Sequence, residues 1–251
     1  MGLKNFLGLS FSLAKANFKL KNEESYLGIL WYLLGPILMF ILLLTIFSGR
    51  LGKGVEDYPL YLLLGLIMFN FFQNTTKEAT GAIISNGGLI KSLKFSHKAL
   101  INSNILKSLL SHFFEIIIFI IFLLFFKISI GNLIFYPLIL FFLYFFTYGV
   151  SLFLSSLTVY FVDMQNIWNF VSRLIWFATP IFYAIEGQTR LYYLNLLNPM
   201  YYFITITREI VIYSKIPEIW MILGMMIYTL LALIIGIIVF DKLKYRFAEL
   251  R

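Results

Sequence analysis

Apolar residues in this chain arrive in long runs separated by short polar stretches. Six runs, at roughly 29–48, 59–75, 109–126, 133–157, 167–184 and 219–240, approach the length of a membrane span. A hydrocarbon core of ~30 Å needs about 20 helical residues at 1.5 Å each. The second run is the weakest, because Asn70, Gln73, Asn74 and Thr75 make its end polar. The first extends from about Ile29 to Phe47, longer than a roughly 7–15-residue signal core, and no small-x-small cleavage site follows it. It is read as a retained span.

Two further stretches follow a helical pattern without being spans. In residues 3–21, Phe6, Leu9, Leu13, Ala16 and Leu20 share a stripe, with Lys4, Lys15 and Lys19 opposite and Phe11 and Phe18 as exceptions. That pattern predicts a helix lying in the headgroup plane, its ammonium groups towards anionic lipid. Residues 199–213 are apolar but number only about 15 and include Arg208 and Glu209. A full span is excluded on that ground. Asn198-Pro199 reads as a helix start, Asn at the cap and Pro at the first helical position. A short external or re-entrant helix before the last span is expected.

Charge sets the orientation. Lys4, Lys15, Lys19 and Lys21, then Lys77, Lys91, Lys94, Lys98 and Lys107, then Lys242, Lys244, Arg246 and Arg251 flank one side, thirteen of the 20 basic residues. Arg50, Lys53, Lys127, Arg190, Arg208 and Lys215 lie opposite, and Arg173 completes the set. The excess of cations marks the cytoplasmic side, so both termini are placed in the cytoplasm. Six spans satisfy that parity and seven do not. The expected fold is an all-α protein of the cytoplasmic (inner) membrane with six transmembrane helices. Residues 1–24 would form an interfacial helix, 76–108 a cytoplasmic loop and 185–217 an external helical segment.

Composition agrees. The 251 residues are 61% hydrophobic and 13% charged, about half the charged share of a soluble domain. Mean hydropathy is +0.88. The net charge of +8 does not point to nucleic acid, because the lysines sit between apolar runs rather than along one soluble face. Absent cysteines exclude disulfides and thiolate metal sites, and two histidines, His97 and His112, leave little for a metal centre.

The search for catalysis is negative. No phosphate-binding G-x-x-x-x-G-K-[ST] is present, and Gly52-Lys53-Gly54 lacks the following Ser or Thr. Neither H-E-x-x-H nor a G-x-S-x-G nucleophile elbow appears. A spatial Ser/His dyad using His112 needs no motif and stays open. Two ions stand inside apolar runs, Glu115 and Arg173. Each costs roughly 2.5–3.5 kcal/mol at a helix centre, so neither should face lipid mid-bilayer. Either they form an ion pair, within a protomer or across a dimer, or both reach towards the cytoplasmic headgroups. Pro180, after Thr179 and before Phe182 and Tyr183, should kink or end the fifth span near the outer face. It marks either an exit site lined by aromatics or a helix turning into its loop.

Four strings in order resemble the polysaccharide-exporting ABC-2 type permeases. They are Leu27-Gly28-Ile29-Leu30-Trp31 with Gly35-Pro36-Ile37-Leu38; Leu89-Ile90-Lys91 with Phe95; Tyr160-Phe161-Val162-Asp163 with Thr179-Pro180-Ile181-Phe182-Tyr183; and Leu197-Asn198-Pro199-Met200 before Arg208. Departures are Val162 where the family usually has Arg, and Ser96 and Ile101 where prolines are common. The resemblance implies a homodimeric permease exporting lipid-linked glycans such as O-antigen, capsule or teichoic-acid polymers. This chain would bind no cofactor, and ATP and Mg would sit on a separate P-loop ATPase subunit. It further implies coupling to that subunit through about 85–100, where Lys91, Lys94 and Lys98 would share a helical face around Phe95, and through Asp163. The polar and aromatic residues Glu115, Arg173, Pro180, Tyr183, Asn198 and Pro199 are the candidates for the pathway. A permease for a drug or lipid, or a membrane-embedded enzyme using Glu115, His112 or Arg173, are the alternatives.

Overall fold

The computed structural model describes residues 3–23, 30–52, 54–88, 96–185 and 188–247, and every regular element among them is helical. The α-helices are α1 (Leu3–Glu23), α2 (Leu30–Phe47), α3 (Tyr58–Ser85), α4 (His97–Phe125), α5 (Tyr136–Tyr160), α6 (Met164–Ala178), α7 (Thr189–Leu196), α8 (Pro199–Val211) and α9 (Ile219–Leu243). Short 3-10 turns at Gly131–Phe135 and Lys244–Arg246 complete the described elements. Three of the helices enter with a proline in their first turn, at Pro59, Pro137 and Pro199. An N–H there has no intrahelical partner, so its absence costs nothing.

Among the described residues, three helical stretches are long and apolar enough to cross a membrane: His97–Phe125, Gly131–Tyr160 and Ile219–Leu243. Helix α2 contributes a shorter apolar stretch, Leu33–Phe47. The remaining two expected spans look different. Helix α3 is 28 residues long and continues past the polar end of its apolar run. Helix α6 has only 15 residues. The region 76–108, expected as a loop, is helix at both ends, with α3 running to Ser85 and α4 beginning at His97. Hydropathy marks where a helix leaves lipid and does not mark where it stops, since a polar helix is stable beyond the headgroups once its neighbours pack against it.

Helix α3 is the axis of the fold. Leu60, Leu62, Leu63, Leu64, Leu66, Ile67, Met68 and Phe69 are all buried, and α2, α4, α5, α6 and α8 pack around them. Helices α5 and α9 form the most extensive pair. Glycine permits their approach: a Cβ added to Gly236 would lie 2.1 Å from the Gly149 carbonyl oxygen, and one on Gly149 2.3 Å from the Ala232 backbone. Such small-residue contacts let helix backbones meet where no water drives association. Helix α1 packs on α4 along Phe6, Leu9, Ser10, Leu13 and Ala14, while Ala16 and Leu20 of the expected stripe are exposed. The outward faces of α4 and α9 are apolar, with Phe113, Ile117, Ile121, Leu124, Ile227, Leu230, Ile234 and Ile238 exposed.

The antiparallel helices give the bundle two ends. The basic end has the termini of α3, α5 and α9 and the starts of α4 and α6, with Lys77, Lys98, Lys107, Lys242 and Lys244. The opposite end has residues 48–52 and 54–57, residues 179–185, α7 and α8.

Candidate functional site

At the opposite end the chain breaks out of helix inside an apolar surrounding. Helix α6 stops at Ala178, and Pro180 to Tyr183 run on without regular structure while Ile181 and Phe182 stay buried. Irregular backbone away from water must find donors for its carbonyls. Side chains supply all four. Tyr61 Oη donates to the carbonyls of Pro180 (3.2 Å) and Tyr183 (2.9 Å), and Tyr58 Oη donates to that of Phe182 (2.8 Å). Arg208, on α8, donates to Pro180 (2.6 Å) and Ile181 (3.0 Å), and through Nε and Nη2 to Tyr61 (3.1 and 2.8 Å). Its guanidinium lies over the Tyr61 ring, 3.3 Å from the centroid, and the residue is 3% exposed. A planar fork with five donors is the side chain that can serve several carbonyls at once. Gly65 leaves the space: a Cβ there would stand 2.5 Å from Arg208 Nη2.

The motif residues close the same latch. Asn198 caps α8 by accepting from the Met200 N–H (3.1 Å), and its amide donates to Thr179 Oγ1 (2.8 Å). Tyr183 Oη donates back to the last carbonyls of α6, at Phe177 (3.3 Å) and Ala178 (2.6 Å). Beside the latch lies a cleft of about 360 Å³ lined by Tyr61, Tyr201, Thr205, Glu209, Tyr213 and Lys215 among others. Burial, and then Glu218, push the Glu209 carboxyl above its ordinary range, with Lys215 opposing.

Deeper in the bundle a second polar cluster lies where α3, α4 and the start of α5 meet. Glu115 is buried and its carboxylate is 3.2 Å from His112 Nδ1, while His112 Nε2 is 2.6 Å from the Tyr136 hydroxyl. This triad opens into a crevice of about 300 Å³ lined by Asn70, Asn74, Lys77, Lys107, Ser108 and Ser111 in addition. Lys107 pairs with Glu78 at 2.7 Å. Along the adjoining seam Trp168 donates to Thr76 (3.0 Å) and Gln73 to the Ser172 carbonyl (3.2 Å), which fixes α6 against α3. Helix α6 then turns Asn166, Asn169 and Arg173 outward, one stripe that also bears Phe170 and Phe177.

The expected site residues divide accordingly. Pro180, Tyr183, Asn198 and Pro199 converge at the latch. Glu115 and Arg173 do not meet within the protomer: Glu115 is held by His112, and Arg173 is exposed on α6. The ion pair is therefore not formed within the protomer, since Glu115 bonds His112 of its own helix and faces a crevice walled by α3 and α4. Both ring nitrogens of His112 are bonded, one to Glu115 and the other to the Tyr136 hydroxyl, so its hydroxyl partner is a tyrosine and not a serine. Lys98 is bound to Asp241 (2.7 Å), which Lys244 also contacts (2.9 Å). Asp163 is exposed in the turn between α5 and α6. Lys91, Lys94 and Phe95 lie outside the described residues. Sequence reasoning counted Arg208 as an external cation, as a ground against a span at 199–213 and as the end of a family-like string, and gave it no place in the site. Its signal was an arginine within a short apolar helix opened by Asn-Pro. For His112 the signal was the i, i+3 spacing to Glu115; Tyr58 and Tyr61 carried none.

A helical bundle with apolar outer faces, polar clusters within and a broken helix at one end defines a multi-pass membrane protein. The chain belongs to the ABC-2 type transporter family, whose pattern it matches over residues 9–212. Among similar proteins is the O-antigen export system permease protein RfbA of Klebsiella pneumoniae, 27% identical over 259 residues that cover 99% of this chain and 98% of that one. The protein of the same name from Myxococcus xanthus is 22% identical over 98% of this chain and 96% of its own length. The polysialic acid transport protein KpsM of Escherichia coli is 26% identical over 84% of each.

Proposed function

We propose that this chain is the membrane-spanning subunit of an ATP-driven exporter that moves a lipid-linked polysaccharide across the cytoplasmic membrane. The observation that carries the reading is the α6 stripe. Arg173 is exposed on a helix of a largely apolar bundle, where lipid contact would cost kilocalories, and Asn166 and Asn169 continue its polar stripe to the start of α6. An aqueous route, shared with a second copy of the chain, removes that cost. The two aromatic residues on the same face, Phe170 and Phe177, offer apolar contact to sugar rings or to the partner copy. Full-length similarity to permeases named for O-antigen export supports the cargo class.

In this reading α2 to α6 and α9 make six spans, α1 lies at the lipid headgroups, and the basic end faces the cytoplasm with both termini. ATP and Mg belong to a separate P-loop ATPase beneath that end. Force enters through the connection around 86–96, with Phe95 as apolar anchor and Lys91 and Lys94 steering, and through the exposed turn Phe161-Val162-Asp163. Lys98 contributes by fixing the start of α4 to α9. The test is deletion of the gene with complementation. Loss of surface polymer, restored by the parent chain and not by Arg173→Glu with normal membrane insertion, is expected. Unchanged surface polymer in the deletion strain overturns the reading.

A further inference from the structure

The cleft beside the Arg208 latch is built differently from the latch itself. Arg208 spends four hydrogen bonds on three backbone carbonyls. In the cleft polar groups are left over. One carboxylate oxygen of Glu209 is buried with no hydrogen-bond partner among the described residues. Thr207, on the far side of α8, returns its hydroxyl proton to the Phe203 carbonyl (2.7 Å), whereas Thr205, which lines the cleft, has no such bond among the described residues. Tyr201 and Tyr213 also line the cleft, and Tyr213 is held there by its hydroxyl donating to the Glu56 carbonyl (3.0 Å), with the Lys215 ammonium over its ring at 5.7 Å.

Charge narrows the class of ligand. Among the described lining residues Arg208 and Lys215 are balanced by Glu56 and Glu209. An anion meets two carboxylates, and a cation finds no converging set of acids. At about 360 Å³ the space falls at the low end of small-molecule sites (roughly 300–1,000 Å³). A neutral, polyhydroxylated ring matches each feature. Its C–H face packs on a tyrosine ring, its hydroxyls donate to a carboxylate, and other hydroxyls accept from threonine and lysine. We propose that this cleft binds a neutral saccharide segment of one or two sugar residues as the polymer leaves the opposite end of the bundle. The proposal rests on the export reading and adds to it a glycan site inside one protomer, away from the α6 stripe.

The test uses the full-length protein in lipid nanodiscs and the repeat-unit oligosaccharide released by mild hydrolysis from the surface polymer of the producing cell. Saturation transfer from protein to this oligosaccharide is expected, with the sugar C–H protons adjoining the tyrosines receiving most. Glu209→Gln with Thr205→Val should weaken binding about tenfold or more, and Tyr201→Phe, which removes one hydroxyl and keeps the ring, should weaken it less. Unfolding temperatures equal to that of the parent chain show that the variants remain folded. Absence of saturation transfer from the parent chain to the oligosaccharide overturns the proposal, as does equal binding by the double variant. A deletion strain that keeps its surface polymer refutes the export reading. A deletion strain that loses it, with undiminished binding by the double variant, refutes the site alone.

Discussion

Arg208 and Glu115 are both ions buried in a bundle that has little water to offer, and the protein treats them in opposite ways. Arg208 is spent entirely on backbone: its fork reaches the carbonyls of Tyr61, Pro180 and Ile181, and its flat face covers the Tyr61 ring. Glu115 is held by a single side chain, His112, at the inner wall of a crevice that widens towards Lys77 and Lys107. The first arrangement fixes a broken helix in one geometry. The second leaves a carboxylate within reach of whatever fills the crevice. A buried charge is structural when fixed dipoles surround it, and available for function when its partners are few and its cavity is open.

Substitution at Arg208 should have the largest effect. Arg208→Met takes the donor from the Ile181 carbonyl and half the donors from Pro180, and removes charge-assisted bonds worth about 1.5–3 kcal/mol each. A loss of at least ~3 kcal/mol is expected, measured as a fall in the unfolding midpoint in detergent. Arg208→Lys should recover less than half of it, because a point charge cannot reproduce the fork. Full recovery by lysine would show that charge, not geometry, holds the latch.

Gly65→Ala probes the same site from the other side and should rank second, at about 1–3 kcal/mol for an overpacked contact. The added methyl stands 2.5 Å from Arg208 Nη2 and 3.3 Å from Ile181 Cγ2. In combination with Arg208→Met its cost should largely vanish, a coupling that a double-mutant cycle reads directly. Additive costs would place the steric conflict elsewhere.

Glu115→Gln preserves shape and should cost only about 1 kcal/mol, since the amide can still bond His112 and the crevice remains polar. Its cycle with Arg173→Gln should be additive in a solubilised monomer, because Glu115 is bonded to His112 while Arg173 is exposed on α6. Coupling that appears only in the dimer would mean that the two residues meet across copies. Asp241→Asn should be smallest, about 0.2–1 kcal/mol. Its carboxylate is 37% exposed and shared between Lys98 and Lys244. A larger loss would mean that the α4–α9 tie is buried by a partner.

Much of this molecule can be read along the chain, because in a bilayer the solvent itself writes the pattern. Lipid demands long apolar helices, so the runs at 109–126, 133–157 and 219–240 coincide with α4, α5 and α9. Local chemistry is legible for the same reason: the Asn198 cap, the Pro199 start and the end of α6 before Pro180 follow from backbone sterics within a few residues. What the chain order cannot express is which distant groups share one buried space. Tyr61 lies more than a hundred positions from both Pro180 and Arg208, and only the packing of α3 against α8 and the broken end of α6 brings three carbonyls to one guanidinium. Likewise hydropathy shows that Glu115 must avoid lipid but is silent on its partner, because a helix presents a side chain to whichever neighbour the tertiary fold provides. Here the partner His112 is local, three residues away on α4, and what the fold decided is that Tyr136 ties His112 from α5 and that Arg173 stays on the outside of α6.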